Sequence, residues 1–277
     1  MEKYYTRACN FYYGTTSQKL IKRKKALPLC GNKNIAFDKI EIFTRVNKKI
    51  SSKILKLKEI KLQKKILRNQ ISIDIKKISL NKSKFNEPHI MGILNMTPDS
   101  FSDGGEYNNN KAAFKRIDSM IKSGADIIDV GGESTRPGSK TISPIQEWKR
   151  ISNVVKKFKK KYPKILLSVD TRKSEIMKET IKNKGDIIND VSGFNYDKNS
   201  NDLVKNNKIW KIIHHMQGTP QTMQTKPSYK HVLLDIYDYF EKKIEDQSKV
   251  NKHPINIILD PGIGFGKNLK HNLMIMS

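Results

Sequence analysis

The sequence is poor in cysteine, in long apolar runs and in acidic side chains, and each shortage excludes a class of protein. Its 277 residues include only two cysteines, Cys9 and Cys30, whose spacing matches no zinc or redox motif. A reducing cytoplasm is therefore the expected location. No run of about eighteen apolar residues occurs, so no membrane span is expected. The N-terminus carries Glu2 and lacks an apolar segment, which argues against a secretion signal.

Acidic residues are outnumbered by basic ones, 27 to 54, which gives a formal net charge of +27. A basic surface of this size can bind nucleic acid. The excess is mostly lysine, however, and few aromatic residues are interleaved with it as platforms for stacked bases. A solvated lysine-rich surface is the simpler interpretation, so nucleic-acid binding is not expected. The positive field would still attract an anionic small-molecule substrate.

From His89 onward the chain repeats one pattern: an apolar strand, a polar loop and an amphipathic helix. The predicted strands are residues 90–94, 127–130, 165–169, 187–188, 211–214 and 255–259. Residues 110–123 and 229–249 have helical periodicity, and a sixth helix is predicted to start at Asn268. Ser143 is predicted to cap another helix, with Pro144 at its first position and Gln146 completing a capping box.

Six βα units with polar residues after every strand predict an α/β fold of the TIM type, a (β/α)8 barrel. In such barrels the functional groups lie at the carboxyl ends of the strands. A doubly wound sheet is the alternative, but it would concentrate its motifs at one or two switch points. Only about six of the eight units are visible, so the barrel is expected to be incomplete.

Residues 1–87 differ from the rest because they are rich in lysine and hold no dense polar motif. Apolar stretches at 26–29, 35–37 and 40–43 predict short strands around a turn at Gly31, and residues 53–70 have the composition of a helix or a charged linker. We therefore expect two domains: a small α+β N-terminal extension of unknown role over residues 1–87, and the barrel domain over residues 88–277.

Oxygen-bearing side chains cluster after the first barrel strand, where Asn95 is followed by Thr97, Asp99, Ser102 and Asp103. An asparagine at a strand end can simply form a turn. Together, however, these side chains suit Mg²⁺ or a diphosphate. The cluster favours an anion or metal site at this end of the barrel.

Arg136 lies in the segment Glu-Ser-Thr-Arg-Pro-Gly after the second strand. It could form a surface salt bridge, or its guanidinium and the neighbouring hydroxyls could grip diphosphate oxygens. Asp170, Asn189 and Asp260 each end an apolar strand, where any one could cap a helix. Three such groups at one rim could bind the donor-rich edge of a heterocycle, because a carboxylate accepts two hydrogen bonds side by side.

Two further motifs exclude common site types. The glycine-rich residues 262–267 fit neither the P-loop nor the dinucleotide fingerprint, which argues against an ATPase or a nicotinamide enzyme. His214 and His215 are adjacent on a strand and point to opposite faces, so they would not share a metal.

Met216 follows the two histidines. Its side chain is expected to pack in the core unless it forms the floor of a pocket.

Six segments in this order resemble the dihydropteroate synthase family: LNMTPDSFSDGG, DVGGESTRPGS, SVDTRK, INDVSG, HMQGTP and LDPGIGFGK. The resemblance covers residues 91–267, and the N-terminal segment is similar to an extension of some bacterial members. It implies the joining of 4-aminobenzoate to 6-hydroxymethyl-7,8-dihydropterin diphosphate in folate biosynthesis, with release of diphosphate. It also implies a dissociative mechanism, Mg²⁺ as the cofactor, and a homodimer for a full-length member.

The resemblance further implies roles for individual residues. Asn95 would bind Mg²⁺ and help to hold the diphosphate, Thr135 would contact the diphosphate, and Arg136 would lie near it. Asp103 would support the cationic pterin during the reaction. The residues implied to bind the pterin are Asp170, Asn189, Asp260 and Met216. The residues implied around the aminobenzoate are Phe101 and Pro137, and Lys267 is a further substrate-binding candidate.

The sequence departs from the family in lacking the Ser-Arg-Lys segment of the seventh strand and the Arg-x-His anion site of the eighth. It therefore resembles a C-terminally truncated member, and the chain alone is expected to be poorly soluble and inactive. The alternatives are a pterin-binding methyltransferase domain and a non-catalytic protein that binds a pterin or nucleic acid. The segments TPDSFSDGG and STRPG favour the synthase, because a methyltransferase has no diphosphate to grip.

Overall fold

The computed structural model describes residues 2–47, 49–79, 88–97, 106–136, 138–248 and 256–276. The chain divides into two compact units, Met1–Pro88 and His89–Ser277. Among the helices of the described ranges, none combines the length and the apolar character needed to cross a membrane.

The N-terminal unit contains a four-stranded antiparallel sheet. Its strands are β1 (Glu2–Tyr13), β2 (Leu27–Leu29), β3 (Asn32–Val46) and β4 (Lys49–Lys56), and β3 pairs with the other three. Its helices are α1 (Gly14–Lys22), a short 3-10 helix (Leu57–Leu62) and α2 (Lys65–Ser79). Helix α2 packs Leu67 and Ile71 against Phe37, Ile40 and Ile42 of β3. The predicted α+β character is confirmed.

Two predictions for this unit are wrong in detail. Residues 35–37 and 40–43 belong to one continuous strand, because the backbone pairing with β1 resumes on both sides of Asp38, whose carboxylate accepts hydrogen bonds from Asn10 Nδ2 at 2.7 Å and Tyr12 Oη at 3.1 Å. Residues 53–70 form neither one helix nor a linker. They contain the end of β4, the 3-10 helix and the start of α2.

The second unit alternates strands and helices around a six-stranded parallel sheet. The strands are β5 (Met91–Asn95), β6 (Ile127–Gly131), β7 (Leu166–Asp170), β8 (Ile187–Asp190), β9 (Trp210–His214) and β10 (Ile257–Asp260). The helices are α3 (Glu106–Lys122), α4 (Pro144–Lys161), α5 (Ser174–Lys182), α6 (Ser200–Lys205), α7 (Val232–Ser248) and α8 (Leu269–Met276).

The six strands lie side by side in chain order, from β5 to β10. This is the order of a (β/α)8 barrel. A doubly wound sheet would instead reverse its strand order at a switch point, and the described strands contain no such reversal. The α/β prediction is therefore confirmed, and the doubly wound alternative is wrong.

One face of each strand packs against the helices. Val130 and Val169 contact a core that includes Ile117, Ile151 and Phe158. A second core buries Ile188 and Ile213 with residues of α7. Because strand side chains alternate between faces, this packing leaves the opposite face of the sheet for the polar residues described below.

Local sequence sets the helix boundaries. Ser143 caps α4 as predicted: its Oγ accepts from Gln146 N, and Gln146 Oε1 accepts from Ser143 N, both at 3.2 Å. Helix α7 begins at Val232, later than the predicted residue 229, because Asp235 accepts hydrogen bonds from the amides of Lys230 and His231. Helix α6 is not predicted, since it is short. The predicted bounds at 249 and 255 lie outside the described residues.

Candidate functional site

Strand register brings the predicted polar residues into adjoining rows on the face of the sheet away from the helices. Asn95, Gly131, Asp170 and Asn189 are register partners across β5 to β8. His214 and Asp260 are partners in β9 and β10. All of them lie at the carboxyl ends of their strands, which is where a parallel barrel places its functional groups.

Gly131 leaves a gap between two of these side chains. A Cβ atom at this position would lie 3.5 Å from Asn95 Oδ1 and 3.6 Å from Asp170 Oδ2. Asn95 is exposed, and no described residue forms a hydrogen bond or ion pair with its side chain. The amide oxygen and the carboxylate therefore face a common space.

Asp129, one pleat deeper in β6, belongs to the same site although the sequence pattern does not single it out. It is 4 % exposed, and its Oδ2 accepts a hydrogen bond from Asn189 Nδ2 at 3.0 Å. The atoms Asp129 Oδ1, Asn189 Oδ1 and Ser168 Oγ are buried without a hydrogen-bond partner among the described residues. The available signal was a charged residue inside the apolar strand Ile127–Gly131.

Asp129 and Asp170 have no cationic partner among the described residues. Burial raises the pKa of Asp129 against the opposing effects of the nearby Ser168 hydroxyl and the Asn189 amide. Burial, followed by the nearby charges of Asp129 and Asp190, raises the pKa of Asp170 well above its usual value. No cation of the described residues forms an ion pair with Asp129 or Asp170. A ligand with hydrogen-bond donors would supply what these carboxyl groups lack.

Asp260 is held differently. Its Oδ1 accepts a hydrogen bond from Gly262 N at 2.7 Å, and its Oδ2 lies 3.3 Å from His214 Nδ1. Burial alone would raise the pKa of Asp260, but the His214 contact and the Gly262 amide outweigh it and lower the pKa. The buried Nε2 of His214 has no partner within the described ranges. Asp260 is therefore an ionised acceptor beside two acids that resist ionisation.

The turn after Asp260 requires glycine. Gly262 has φ +68°, and a Cβ there would lie 2.1 Å from the carbonyl oxygen of His215 and 2.7 Å from His214 Nε2. This close approach lets the turn pack directly on the two histidines. His214 and His215 contact different groups, as their alternation predicts.

Lys267 is 3 % exposed and its ammonium is bound within the chain. Nζ donates to the carbonyls of Phe265 at 2.9 Å and His215 at 3.2 Å, and lies 3.1 Å from His215 Nδ1. Burial lowers the pKa of Lys267 to about 8. Burial and the nearby ammonium lower the pKa of His215 to about 4, so the imidazole is neutral at pH 7 and can accept a hydrogen bond.

The other predicted site residues lie on loops at the same end of the sheet. Thr135 is half-buried and Arg136 is exposed on the loop after β6, and Met216 is half-buried after β9. Within the described ranges, no hydrogen bond or ion pair joins these side chains to Asp170, Asn189 or Asp260. The predicted residues Phe101, Asp103 and Pro137 lie outside the described residues.

A second buried group of charges lies beside this site, and we call Glu133, Glu147, Arg172 and Lys173 the clamp cluster. Arg172 Nε donates to Glu133 Oε2 at 2.8 Å. Lys173 Nζ lies 3.0 Å from Glu133 Oε1 and also bonds Glu147 Oε2. The cluster joins the loop after β6, the segment after β7 and helix α4, and the sequence pattern does not reveal these pairings.

Comparison with known proteins gives a consistent result. Residues 91–277 match a family described as pterin binding enzyme. The dihydropteroate synthase of Escherichia coli (strain K12) is 41 % identical over 192 residues, covering 69 % of this chain and 67 % of that protein. The Neisseria meningitidis serogroup B enzyme is 40 % identical over 195 residues, covering 69 % and 68 %. The match thus spans about two thirds of each relative.

Solved structures similar to this chain are likewise dihydropteroate synthases. A Yersinia pestis dihydropteroate synthase with a sulfonamide drug complex has a TM-score of 0.64 and 37 % identity, and the match covers 70 % of each chain. A Clostridium difficile dihydropteroate synthase crystallised in the presence of pteroic acid has a TM-score of 0.62 and 39 % identity, with 68 % and 69 % covered. A Xanthomonas albilineans dihydropteroate synthase with 4-aminobenzoic acid has a TM-score of 0.62 and 32 % identity, with 69 % and 67 % covered.

Proposed function

The chain belongs to the family of pterin-binding enzymes, and we propose that it acts as a dihydropteroate synthase in folate biosynthesis. It condenses 6-hydroxymethyl-7,8-dihydropterin diphosphate with 4-aminobenzoate to give 7,8-dihydropteroate and diphosphate. We place this reaction in the cytoplasm, since both cysteines are free thiols. The methyltransferase alternative has no specific observation in its favour.

The observation that carries the proposal is the row of open acceptors on the inner face of the sheet. Asp129 Oδ1 and Asn189 Oδ1 are buried without partners, and Asp170 accepts no hydrogen bond from the described residues. A pterin ring presents an exocyclic amine and a ring N–H along one edge. A carboxyl group can accept such donors side by side, and buried acceptors discriminate strongly against a ligand that leaves them unpaired.

Asp260 supplies a second kind of acceptor. Its lowered pKa keeps it ionised at neutral pH, so hydrogen bonds from the pterin to Asp260 are charge-assisted. Met216 lies on the adjoining strand end and offers apolar contact to the ring. Lys267, with a pKa of about 8, would lend positive charge to the same end of the site.

The diphosphate is assigned to the loop residues. Thr135 offers a hydroxyl donor, and Arg136 offers an exposed guanidinium suited to two phosphate oxygens at once. In the dissociative reaction, the carbon–oxygen bond to diphosphate breaks first and leaves a cationic pterin methylene carbon, to which the nitrogen of 4-aminobenzoate then bonds. The amine releases one proton and the bonding electrons leave with the diphosphate. The roles of Phe101, Asp103 and Pro137 stay predictions.

Mg²⁺ fits Asn95 as a metal carried in by the diphosphate. The described residues hold no group of three His, Cys, Asp or Glu side chains that could bind a metal. Mg²⁺ does not require such a group, because it commonly keeps several waters and takes one or two protein oxygens plus substrate phosphates. The amide oxygen of Asn95 faces the gap at Gly131 and is open for this contact. When bound, the metal neutralises charge on the departing diphosphate.

Pterin recognition is tested with Asp170→Ala and Asp260→Ala. Asp260→Ala removes charge-assisted hydrogen bonds, and Asp170→Ala removes an open carboxyl acceptor, so each substitution should weaken the binding of pteroic acid by about 2–4 kcal/mol. Titration calorimetry on the whole chain measures this, with Asp202→Ala in the exposed helix α6 as the control. Unchanged affinity in both site variants would refute the pterin assignment.

The metal assignment is tested with Asn95→Ala. Mg²⁺ should strengthen the binding of inorganic diphosphate to the wild-type chain, and this gain should shrink in the variant while pteroic acid binds as before. Calorimetry with and without EDTA measures both quantities. If chelation left the binding of diphosphate unchanged, the assignment of Mg²⁺ to Asn95 would be refuted.

A further inference from the structure

We propose that Arg172 and Lys173 are positioning residues for the diphosphate half of the site. They fix the described loop residues 134–136 and 138–141, among them Thr135 and Arg136, against the strand that ends in Asp170. The residues proposed to bind the diphosphate are thereby held at a fixed distance from those proposed to bind the pterin. This inference rests on the proposed function, because it assigns the loop to the diphosphate and the strand to the pterin.

Glu133 holds both ends of the loop. Its Oε2 accepts from Arg172 Nε at 2.8 Å, and its Oε1 accepts from the backbone amide of Ile142 at 3.0 Å. Glu133 precedes the loop and Ile142 follows it, so one buried carboxylate closes the loop at its base. The contacts of Arg172, Lys173 and the Ile142 amide outweigh the effect of burial and lower the pKa of Glu133, which keeps it ionised.

Arg172 reaches the far end of the loop as well. Its Nη2 donates to Thr141 Oγ1 at 3.0 Å. Within the loop, Ser139 Oγ donates to the carbonyl of Ser134 at 2.6 Å. The guanidinium therefore binds Glu133 just before the loop and Thr141 at its end, and the loop is closed across its middle.

Neighbouring elements hold the cations in turn. The guanidinium carbon of Arg172 lies 4.0 Å from the centre of the Tyr196 ring, which belongs to the loop after β8. Lys173 Nζ bonds the fully buried Glu147 of helix α4 as well as Glu133. The segment after β7 thus contacts the loops after β6 and β8 and helix α4 at once.

The contacts of the clamp cluster fix the orientation of the side chains and loop that they join, which an apolar cluster would not do. Buried ion pairs are often no more stabilising than well-packed apolar residues of the same volume, so stability alone gives little reason for four buried charges. Hydrogen-bonded charges do fix angles and distances, above all for the planar guanidinium. Only one residue separates Asp170 from Arg172. By binding the loop, Arg172 therefore fixes the position of the loop relative to the carboxyl group proposed to bind the pterin.

The test compares two ligands that differ only in the diphosphate: 6-hydroxymethyl-7,8-dihydropterin and its diphosphate, titrated without 4-aminobenzoate. Thr141→Val removes the Arg172 Nη2 contact while leaving every buried charge paired, so the chain should still fold. It should weaken the diphosphate ligand by about tenfold and leave the plain pterin within about twofold. Thr141→Ser, which keeps the hydroxyl, should restore the wild-type ratio.

Arg172→Lys is the stronger variant. It keeps the charge, but an ammonium cannot bond Glu133 and Thr141 as the guanidinium fork does. The diphosphate ligand should weaken by about ten- to a hundredfold, as expected when a group that orients a binding residue is lost. Thermal unfolding of each variant checks that the fold is retained.

Equal weakening of both ligands would show that the clamp cluster is only structural, and no weakening of either would show that the loop is held without it; each result overturns the proposal. If the wild-type chain bound neither ligand, the proposed function would fall and this inference with it. A selective loss for the diphosphate ligand in both variants, with rescue by Thr141→Ser, supports it.

Discussion

Two groups of acids lie beside each other around β6 and β7, and in the described part of the chain only one of them is paired with cations. Glu133 and Glu147 of the clamp cluster bond Arg172 and Lys173. Asp129 and Asp170 have no cation paired with them in the described part of the chain. Burying an unpaired acid is costly. A fold that pairs one group and leaves its neighbour open marks the open group as a place for a ligand.

The pKa values follow the same division. The pKa of Glu133 is lowered because its contacts outweigh burial, and the pKa of Asp170 is raised well above the usual value by burial and nearby acids. Glu147 lies between the two cases. Its pKa is raised, because burial outweighs the contact with Lys173. Contact with a cation alone therefore does not decide whether the pKa of a carboxyl group is raised or lowered. The number of hydrogen-bond donors around the carboxyl group decides it.

The largest effect should come from breaking the paired group. Lys173→Met leaves Glu147 buried without its cation, so the free energy of unfolding should fall by about 3–5 kcal/mol. Urea unfolding followed by circular dichroism measures it. Lys182→Met is the matched control, since Lys182 forms only an exposed pair with Glu179 at 3.8 Å and should change stability by less than about 0.5 kcal/mol. Similar small changes in both variants would contradict the distinction.

The contributions of Glu133 and Asp170 to stability should also change with pH in opposite directions. Glu133, with its folded pKa lowered, contributes stability above its unfolded pKa of about 4.3, and this is lost as pH falls through the folded value. Asp170, with its folded pKa raised, keeps a proton that the unfolded chain releases above about pH 3.9. Its contribution therefore falls as pH rises from about 4 through the raised value.

Asp170→Asn isolates the second response. The variant should be more stable than the wild type at neutral pH by about 1 kcal/mol, while losing pterin affinity. The gain should vanish below about pH 3, where both states of the wild-type residue hold a proton. Unfolding free energies measured from about pH 3 to pH 8 give both curves. Parallel curves for wild type and variant would show that Asp170 does not carry this pH dependence.

The smallest effect on stability and affinity is expected at Gly131, in the gap between the side chains of Asn95 and Asp170. Gly131→Ala adds a methyl group at ordinary contact distance from Asn95 and Asp170, so stability should change by less than about 1 kcal/mol. Affinity for pteroic acid should fall by a few fold, because the shared space is narrowed. Gly92→Ala is the control: its Cβ would lie 2.8 Å from Met120 Sδ, which should lower stability without changing affinity. A loss of affinity in both variants would contradict this reading of the gap.

What the sequence predicts well here is decided by neighbours along the chain. The cap of α4 depends on residues 143–146 alone, and the polar ends of β7, β8 and β10 follow from apolar runs that stop abruptly. The sequential sheet also follows from the repeated units. These features require no knowledge of what lies across the sheet.

Features that depend on distant pairing are not predicted. Asp129 reads as one polar residue within a strand, and only its contact with Asn189, sixty positions away, assigns it to the site. Glu133 and Arg172 are separated by thirty-nine positions, and their pairing exists only because β6 and β7 are adjacent. In the N-terminal unit, the hydrogen bonds to Asp38 come from Asn10 and Tyr12 on another strand, so the local pattern there suggests two strands where one exists.

The four residues from Asp170 to Lys173 carry both a ligand-facing acid and the two cations of the clamp cluster. Asp170 ends β7, whereas Arg172 and Lys173 reach Glu133 from the residues that follow, so gaining or losing one residue here would move both cations away from Glu133 while Asp170 kept its place in the strand. Replacing Arg172 by another donor should lower the affinity for the diphosphate ligand only in part. An insertion or deletion would instead break all the contacts between the loop and the segment after β7. Changes of length should therefore be far less tolerated in this segment than changes of residue type.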